Sequence, residues 1–288
     1  MHVVTGATGA LGRLVVEKLL DRVPASEVRA TGRRPEALDD LVGSGVDVCR
    51  ADYDDPASLR SAFAGADRVL FVSGNEVGKR LDQHQAVVDA LAEARVGLVA
   101  YTSILNATTS DIVLAREHAA TERMLADAGV PHVLLRNGWY LENFTMSLAD
   151  QVDHGMIGAS GAGRIAAATR ADYAEAAAVV LTGAGTTAGE VFELGGPGFT
   201  RAELVAHIGR CAGRPVSYTD LSEQALTEPL LASGVPDHLA RLIADSDRGA
   251  AAGWLDAGDD LERLLGRPAE PWTDFIAAAV RSALDTAA

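Results

Sequence analysis

Two kinds of apolar pattern alternate along the first half of this chain. Short, nearly continuous apolar runs stand at 3–4, 28–31, 46–50, 69–72, 98–101 and 132–136. Between the first two runs, apolar residues recur on one helix face, at Leu11, Leu14, Val15 and Leu19. Strands that alternate with amphipathic helices predict βαβ units and a parallel sheet. Right-handed crossovers would order the strands 3-2-1-4-5-6, which is a doubly wound α/β sheet.

Helix boundaries are marked by residues with clear end preferences. Asp55 and Pro56 are predicted as the N-cap and the first residue of a helix. Further helices are predicted over 81–95 and 114–129, the second ended by Gly129 with Pro131 beyond it. These signals support the same alternation of strands and helices.

Glycines follow the first strand with a regular spacing. Gly6 would permit a tight turn out of the strand, and Gly9 would let a pyrophosphate approach the backbone without meeting a Cβ. Gly12 would let the next helix pack closely on the strand. The first helical N–H groups would then face the phosphates with the helix dipole behind them. The segment therefore predicts a Rossmann-type dinucleotide site.

The end of the second strand indicates which dinucleotide is bound. NAD sites usually carry an acid about 20 residues past the glycines, where it accepts from the ribose 2′-OH. This chain has Arg33 and Arg34 there and no acid at the strand end. The Arg33 guanidinium suits a 2′-phosphate, which predicts NADPH. The alternative is that both arginines only solvate a loop.

After about residue 140 strand signals become sparser. Glycine-rich turns are predicted at 155–163 and 183–189, a strand at 191–194, a helix over 201–211 and mostly helix over 220–265. We expect an NADP-binding Rossmann domain over 1–150, with later sheet elements returning from about 164–196. Residues 151–288 are expected to form a smaller, partly interleaved C-terminal α/β lobe that closes over the cofactor.

Composition narrows the range of partners. The formal net charge of −15 disfavours nucleic acid and anionic membranes. No apolar run approaches the length of a membrane span, and the apolar strand begins too early for a signal peptide. Cys49 and Cys211 match no metal or redox spacing. We expect a cytoplasmic enzyme, monomeric or homodimeric, that binds no metal.

The other candidate residues follow the later strands, because ligands of open α/β sheets bind at the carboxyl ends of the strands. Asp52 could accept from the adenine amino group, or only cap a turn. Ser73, Gly74 and Asn75 would lie over the riboses. The segment that follows the sixth strand would lie beside the nicotinamide, and it comprises Asn137, Gly138, Trp139, Tyr140, Leu141, Glu142 and Asn143. Its glycine and two aromatics suit a flat ring, although both aromatics could instead be core anchors.

The chain lacks the Tyr-x-x-x-Lys pair that typical short-chain dehydrogenases use as a general acid. On the helix where that pair is expected, His118 and Glu122 lie one turn apart. They could form a proton relay or a surface His–Glu pair. Hydride addition to a simple ketone leaves a strongly basic alkoxide and benefits from a positioned acid. Addition to a quinone leaves a phenolate-like anion with a pKa of roughly 10, which water can protonate. The missing pair therefore favours quinones or conjugated dyes.

A resemblance to a known family rests on motifs spread over most of the chain. They are Thr5–Gly12, Val23–Ser26, Ala51–Tyr53, Glu76–Gly78, Ala100–Ser103, Leu134–Tyr140 and Ala168–Tyr173. Together they resemble the NmrA-like atypical short-chain dehydrogenases, most closely the bacterial type-2 NAD(P)H:quinone oxidoreductases and the triphenylmethane dye reductases. The resemblance implies an NADPH-binding Rossmann domain, a small C-terminal lobe and hydride transfer without flavin.

The family also implies particular cofactor contacts. They fall at Gly6, Ala7, Thr8, Gly9, Ala10, Leu11, Arg33, Ser73, Gly74, Asn75, Asn137, Gly138, Trp139, Tyr140, Leu141, Glu142 and Thr169. The family motif usually has glutamine where Ala10 stands, which removes one amide contact and leaves the role of this position open.

The predicted function is therefore NADPH-dependent reduction of quinone-type acceptors. For the chemistry we select Asn143, which would orient a quinone oxygen, together with Tyr140 and His118. Two other functions fit the same features. One is a non-catalytic NADP(H) sensor, which the missing Tyr/Lys pair also permits. The other is a reductase of conjugated dyes or xenobiotics, which differs only in its acceptor.

Overall fold

The computed structural model describes residues 1–76, 78–183 and 185–287. Val77 of the Glu76–Gly78 motif and Ala184 of the predicted 183–189 turn lie outside the described residues. The strands are β1 His2–Val4, β2 Val28–Gly32, β3 Asp47–Arg50, β4 Arg68–Phe71, β5 Leu98–Ile104, β6 His132–Asn137, β7 Trp139–Tyr140, β8 Met156–Gly158, β9 Ala167–Ala168, β10 Val191–Leu194 and β11 Tyr218–Asp220.

The described helices bear out the predicted alternation. They are α1 Ala10–Leu20, α2 Asp39–Val42, α3 Pro56–Phe63, α4 Arg80–Ala94, α5 Val113–Asp127, α6 Leu148–His154, α7 Arg170–Thr182, α8 Arg201–Ala212, α9 Glu223–Ala232, α10 Asp237–Ala251, α11 Asp260–Leu265 and α12 Trp272–Ala287. The Asp55 side chain accepts hydrogen bonds from the amides of Ala57 and Ser58, so the predicted cap of α3 is confirmed.

Within the described residues the main sheet has seven strands in the order β10-β6-β5-β4-β1-β2-β3, all paired in parallel. The predicted order and the doubly wound α/β fold are confirmed. The run at 191–194 joins the same sheet, because β10 pairs with β6 as the seventh strand. The carboxyl ends of all these strands meet at one edge, which is where a ligand is expected.

Helices cover both faces of this sheet, as the alternation of side chains along a strand requires. Val4 of β1 belongs to a buried cluster that includes Val15 and Leu19 of α1 and much of α7. The neighbouring Val3 points to the opposite cluster, formed with α3, α4 and the end of α5. Burial on both faces explains why the strands read as continuous apolar runs.

The chain after residue 150 builds a further core from helices and short strands. Phe199, Ile208, Ile276 and Val280 pack there with residues of α5 and α6. β8 pairs with β11, and β7 pairs with β9, in two small parallel ladders. The division of the chain into domains at about residue 150 stays a prediction. In the part of the chain that the structure describes, no helix has the length and apolarity needed to cross a bilayer.

Candidate functional site

The glycine turn after β1 has three distinct geometric requirements. Gly6 has φ +60°, in the left-handed region that favours glycine. A Cβ on Gly12 would lie 2.4 Å from the Gly6 carbonyl oxygen, so the helix contacts the turn only because Gly12 has no side chain. Gly9 is different, because its φ of −91° and ψ of 163° are ordinary extended values. A Cβ on Gly9 would lie 3.3 Å from the Gly6 carbonyl oxygen, which is a tight contact but far less severe than the one at Gly12.

The N-terminus of α1 is arranged to receive an anion. Its N-cap residue Gly9 offers no side-chain hydrogen bond, and no acidic residue stands in the first turn. The Gly9 amide is used within the turn, where it donates to the Gly6 carbonyl at 2.9 Å. The first helical amides, from Ala10 onward, face the cleft without a side-chain cap. Such an uncapped, acid-free helix start fits a pyrophosphate.

A cavity of about 440 Å³ lies directly in front of this turn. Many of the predicted site residues line it, and they are Gly6, Thr8, Gly9, Ala10, Leu11, Arg33, Asp52, Ser73, Gly74, Asn75 and Tyr140. A larger cavity of about 870 Å³ lies between α9, α10 and the start of α5, and its lining contains none of the predicted residues. The chemistry thus points to the smaller cavity, at the carboxyl ends of β1 to β4, which we call the cofactor cleft.

Arg33 lines the cofactor cleft and forms an ion pair with Glu76 in the absence of a ligand. Its Nη1 donates to Glu76 Oε1 at 3.1 Å, and its side chain is 63% exposed. Lys79 lies 3.5 Å from the other oxygen of Glu76. The guanidinium is therefore oriented by Glu76 but open to solvent, as a group that binds a ligand phosphate needs to be.

Asp52 both caps a turn and lines the cofactor cleft, so the two alternatives for it are compatible. One of its carboxylate oxygens accepts from the Asp54 amide at 3.2 Å. The other accepts from Arg50 Nη2 at 2.8 Å. The side chain stays in place through these two contacts and still faces the cleft.

The segment after β6 behaves differently from its prediction. A Cβ on Gly138 would lie 2.1 Å from the Ala166 carbonyl oxygen and 3.0 Å from the Tyr173 hydroxyl. The protein's own backbone therefore already requires this glycine, and its contact with a flat ring stays a prediction. Trp139 packs on the C-terminal core, as the core-anchor alternative states, whereas Tyr140 lines the cofactor cleft.

Other predicted contacts have partners within the protein. Ala7, Leu141 and Thr169 are buried, and the Thr169 hydroxyl accepts from the Asp172 amide as the N-cap of α7. Glu142 accepts from the Arg170 amide at 2.9 Å.

Asn137 is buried, and its side-chain oxygen is among the described buried atoms without a hydrogen-bond partner. An unpartnered buried acceptor is costly. Asn137 does not line the cofactor cleft, and its contact with the cofactor stays a prediction.

Arg170 lines the cofactor cleft and was missed by the sequence analysis. Its guanidinium carbon lies 4.5 Å from the centre of the Tyr140 ring, a cation–π contact. It donates to Asn143 Oδ1 at 3.0 Å and lies 3.5 Å from Glu142 Oε2. The exposed Asn143 does not line the cleft, and its contact with Arg170 is its link to that site. Arg170 belongs to the Ala168–Tyr173 motif, but nothing in that motif showed that its side chain would reach Tyr140.

His118 and Glu122 are both buried, so the expected surface pair is wrong. His118 Nδ1 lies 2.9 Å from the Tyr101 hydroxyl, while Glu122 accepts from Ser103 Oγ at 2.6 Å and from Arg136. Burial lowers the pKa of His118 well below its usual value, which keeps the ring neutral. His118 is also absent from the lining of the cofactor cleft. The two residues therefore serve separate buried networks, and this geometry does not support a relay between them.

Comparison with known proteins identifies the family. The model of the NmrA-like family matches residues 2–252. The chain belongs to the NmrA-like family. It is 46% identical over 271 residues to quinone oxidoreductase 2 of Escherichia coli (strain K12), covering 93% of this chain and 94% of that protein.

Solved structures agree with this assignment. The fold matches an NADPH-dependent quinone oxidoreductase from Escherichia coli complexed with NADPH, with a TM-score of 0.93, 44% identity and coverage of 96% of this chain and 99% of that one. It also matches Citrobacter sp. triphenylmethane reductase complexed with NADP(H), with a TM-score of 0.91, 33% identity and coverage of 97% and 100%.

Proposed function

We propose that this protein is an NADPH-dependent oxidoreductase that transfers hydride to quinone-type acceptors. The observation that carries the proposal is the cofactor cleft, where an uncapped glycine turn, Arg33 and the loop after β4 meet. The likeness to a quinone oxidoreductase over nearly the full chain agrees with it. NADPH, when bound, supplies the hydride, and the chain's residues bind and orient it.

Each part of the cofactor has a matching group in the cleft. The amides at the start of α1 would hold the pyrophosphate, and Arg33 would bind the 2′-phosphate. Asp52 would accept from the adenine amino group. Ser73, Gly74 and Asn75 form the wall along the riboses. Tyr140 lines the cleft as well, and the nicotinamide would lie beside it.

The acceptor would lie beside Tyr140 and Arg170. Burial raises the pKa of Tyr140, so its hydroxyl stays protonated at neutral pH and can donate a hydrogen bond. The Arg170 guanidinium over the Tyr140 ring adds a positive charge near the developing quinone oxyanion. Asn143 keeps a role as the residue that orients Arg170. Water then protonates the phenolate-like product, so His118 has no necessary part in the reaction.

Steady-state oxidation of NADPH against a panel of acceptors tests the proposal. We expect rapid turnover with para-benzoquinone and naphthoquinones, and rates near background with simple ketones, because only the quinone product needs no enzymic acid. The protein is purified free of flavin and treated with a chelator. Turnover that requires added flavin or metal, or a preference for ketones, would contradict the proposal.

Reduction of conjugated dyes is a second candidate that a specific observation favours. The matched triphenylmethane reductase shares 33% identity over 97% of this chain. A dye has the same chemical requirement as a quinone, since the electrons enter a delocalised system and no alkoxide forms. Including a cationic triphenylmethane dye in the acceptor panel separates the two. The sensor alternative predicts cofactor binding without turnover of any acceptor in that panel.

The remaining features of the proposal concern organisation. We propose a nucleotide-binding domain over 1–150 and a smaller C-terminal lobe, acting as a monomer or homodimer without nucleic acid. The net charge of −15 supports the absence of a nucleic-acid partner, because it repels phosphate backbones. The free thiols of Cys49 and Cys211 fit a reducing compartment, and we place the protein in the cytoplasm.

A further inference from the structure

We propose that Arg80 and His84 of α4 are positioning residues for hydride transfer. They form a clamp on Gly74, His84 at its amide and Arg80 at its carbonyl, and thereby fix the loop Val72–Asn75, which forms one wall of the cofactor cleft. The inference rests on the proposed function, because it takes this cleft as the NADPH site. Neither residue was singled out by the sequence, and Arg80, His84 and Gly74 are far from the glycine turn along the chain.

The clamp consists of two short hydrogen bonds to a single residue. The Gly74 amide donates to His84 Nε2 at 2.9 Å. The Gly74 carbonyl accepts from Arg80 Nε at 2.7 Å. His84 is fully buried and Arg80 is 4% exposed, so water does not compete for these bonds. A buried arginine and a buried histidine are uncommon, and here both are directed at one backbone unit.

The hydrogen-bond network fixes the protonation of His84. Since Nε2 accepts from a backbone amide, the ring proton resides on Nδ1, which donates to Thr121 Oγ1 at 2.8 Å. Thr121 in turn donates to the Glu117 carbonyl at 3.0 Å. Burial lowers the pKa of His84 to about 3, so the ring stays neutral at any working pH. The acceptor for Gly74 is therefore permanently available.

Packing and charge hold the clamp in one conformation. The His84 ring makes edge contacts with Tyr53, Phe71 and Tyr101, with ring centroids 6.3, 4.7 and 5.9 Å away. Arg80 Nη1 donates to Glu117 Oε2 at 3.0 Å, which compensates its buried charge. Neither side chain can move without leaving a buried polar group unpaired.

The adjacent peptide groups of the loop are held in the same manner. The Val72 amide donates to Thr5 Oγ1 at 2.9 Å, and the Val72 carbonyl accepts from Tyr53 at 2.6 Å. The Ser73 amide donates to Thr102 Oγ1 at 2.9 Å. Side chains from the turn after β1, from β5, from α4 and from the β3–α3 connection thus fix three consecutive residues before any ligand binds. Such preorganisation is what a short hydride-transfer distance requires.

Two substitutions of His84 separate positioning from simple core stability. His84→Leu removes both hydrogen bonds, whereas His84→Gln can still accept from Gly74 through its amide oxygen. We expect His84→Leu to lower kcat roughly 10- to 100-fold, the scale expected for a displacement of about 1 Å. We also expect a larger primary isotope effect with NADPH deuterated at the transferred position. His84→Gln should recover most of kcat and the wild-type isotope effect.

The matched control is Tyr101→Phe. It keeps the ring that packs on His84 and removes a hydroxyl whose partners are His118 and Thr121, so no bond to the loop is lost. It should lower Tm while kcat and the isotope effect stay at wild-type values. Arg80→Lys is the second variant, should His84→Leu fail to fold, because it keeps a charge for Glu117 and disrupts the bond to the Gly74 carbonyl. It should show the same rise in isotope effect.

Wild-type kcat and isotope effect in a folded His84→Leu or Arg80→Lys variant would overturn the inference. So would equal kinetic losses in the clamp variants and in Tyr101→Phe, since that would indicate a role in stability alone. Calorimetric titration with NADPH distinguishes failure of the clamp inference from failure of the proposed function. If wild type binds NADPH but reduces no acceptor, the function is wrong, and a weaker NADPH affinity of His84→Leu relative to Tyr101→Phe still decides the clamp.

Discussion

Gly9→Val abolishes NADPH binding while the protein remains folded. The backbone of Gly9 is extended, with φ −91°, so valine can adopt these dihedral angles. Its Cβ would lie 3.3 Å from the Gly6 carbonyl oxygen, so the turn must shift by only a few tenths of an ångström. Its branched side chain would fill the space in front of the first amides of α1, where the pyrophosphate is proposed to bind. Loss of two charge-assisted hydrogen bonds at about 1.5 kcal/mol each weakens binding roughly 100-fold or more. Calorimetric titration measures the loss, and circular dichroism and Tm check the fold.

Two further glycine variants serve as controls for this result. Gly258→Val places the same side chain where nothing lies within 4 Å, and it should bind NADPH as wild type does. Gly12→Val should damage the fold, because its Cβ would lie 2.4 Å from the Gly6 carbonyl oxygen. Undiminished NADPH affinity in Gly9→Val would mean that the dinucleotide lies elsewhere.

Arg33→Ala removes most of the preference for NADPH over NADH. The guanidinium has a counterpart only in the 2′-phosphate, so NADPH affinity should fall while NADH affinity changes little. A hydrogen bond to a charged group contributes about 1.5–3 kcal/mol. Since the side chain is 63% exposed, we expect the lower end, about a tenfold loss.

Arg34→Ala provides the matched control for Arg33. Arg34 is the adjacent exposed arginine and does not line the cofactor cleft. Its removal changes the net charge equally but should leave cofactor selectivity intact. Titration of both nucleotides against both variants completes the comparison. An equal loss in the two variants would show a general electrostatic effect, and an unchanged ratio in Arg33→Ala would refute the assignment of Arg33.

The features that the sequence predicted well are those that depend on local patterns. The strand order follows from the alternation of apolar runs and helices, because handedness leaves few topologies open. The cap at Asp55 and the left-handed Gly6 follow from backbone requirements that act within a few residues. The cofactor followed in the same way, since the glycine turn and Arg33 belong to one continuous βαβ unit.

The features that sequence analysis predicted wrongly or missed depend on contacts between segments that are far apart in the chain. Gly138 is required because the Ala166 carbonyl packs against its backbone, and His118 is buried against Tyr101. Arg170 reaches the cofactor cleft only because α7 begins beside Tyr140. The clamp on Gly74 has the same origin, because α4 turns His84 back toward the loop. No local spacing encodes these contacts, so only the assembled fold reveals them.

Anaerobic single-turnover mixing tests the central claim most directly. Flavin-free, metal-free protein is loaded with NADPH deuterated at the transferred position and mixed with one equivalent of para-benzoquinone. We predict one NADPH oxidised per quinone reduced, slowed by deuterium, with hydroquinone as the product and no semiquinone signal. NADPH oxidation no faster than in the protein-free mixture, or a semiquinone intermediate, would contradict hydride transfer from NADPH to a quinone in this cleft.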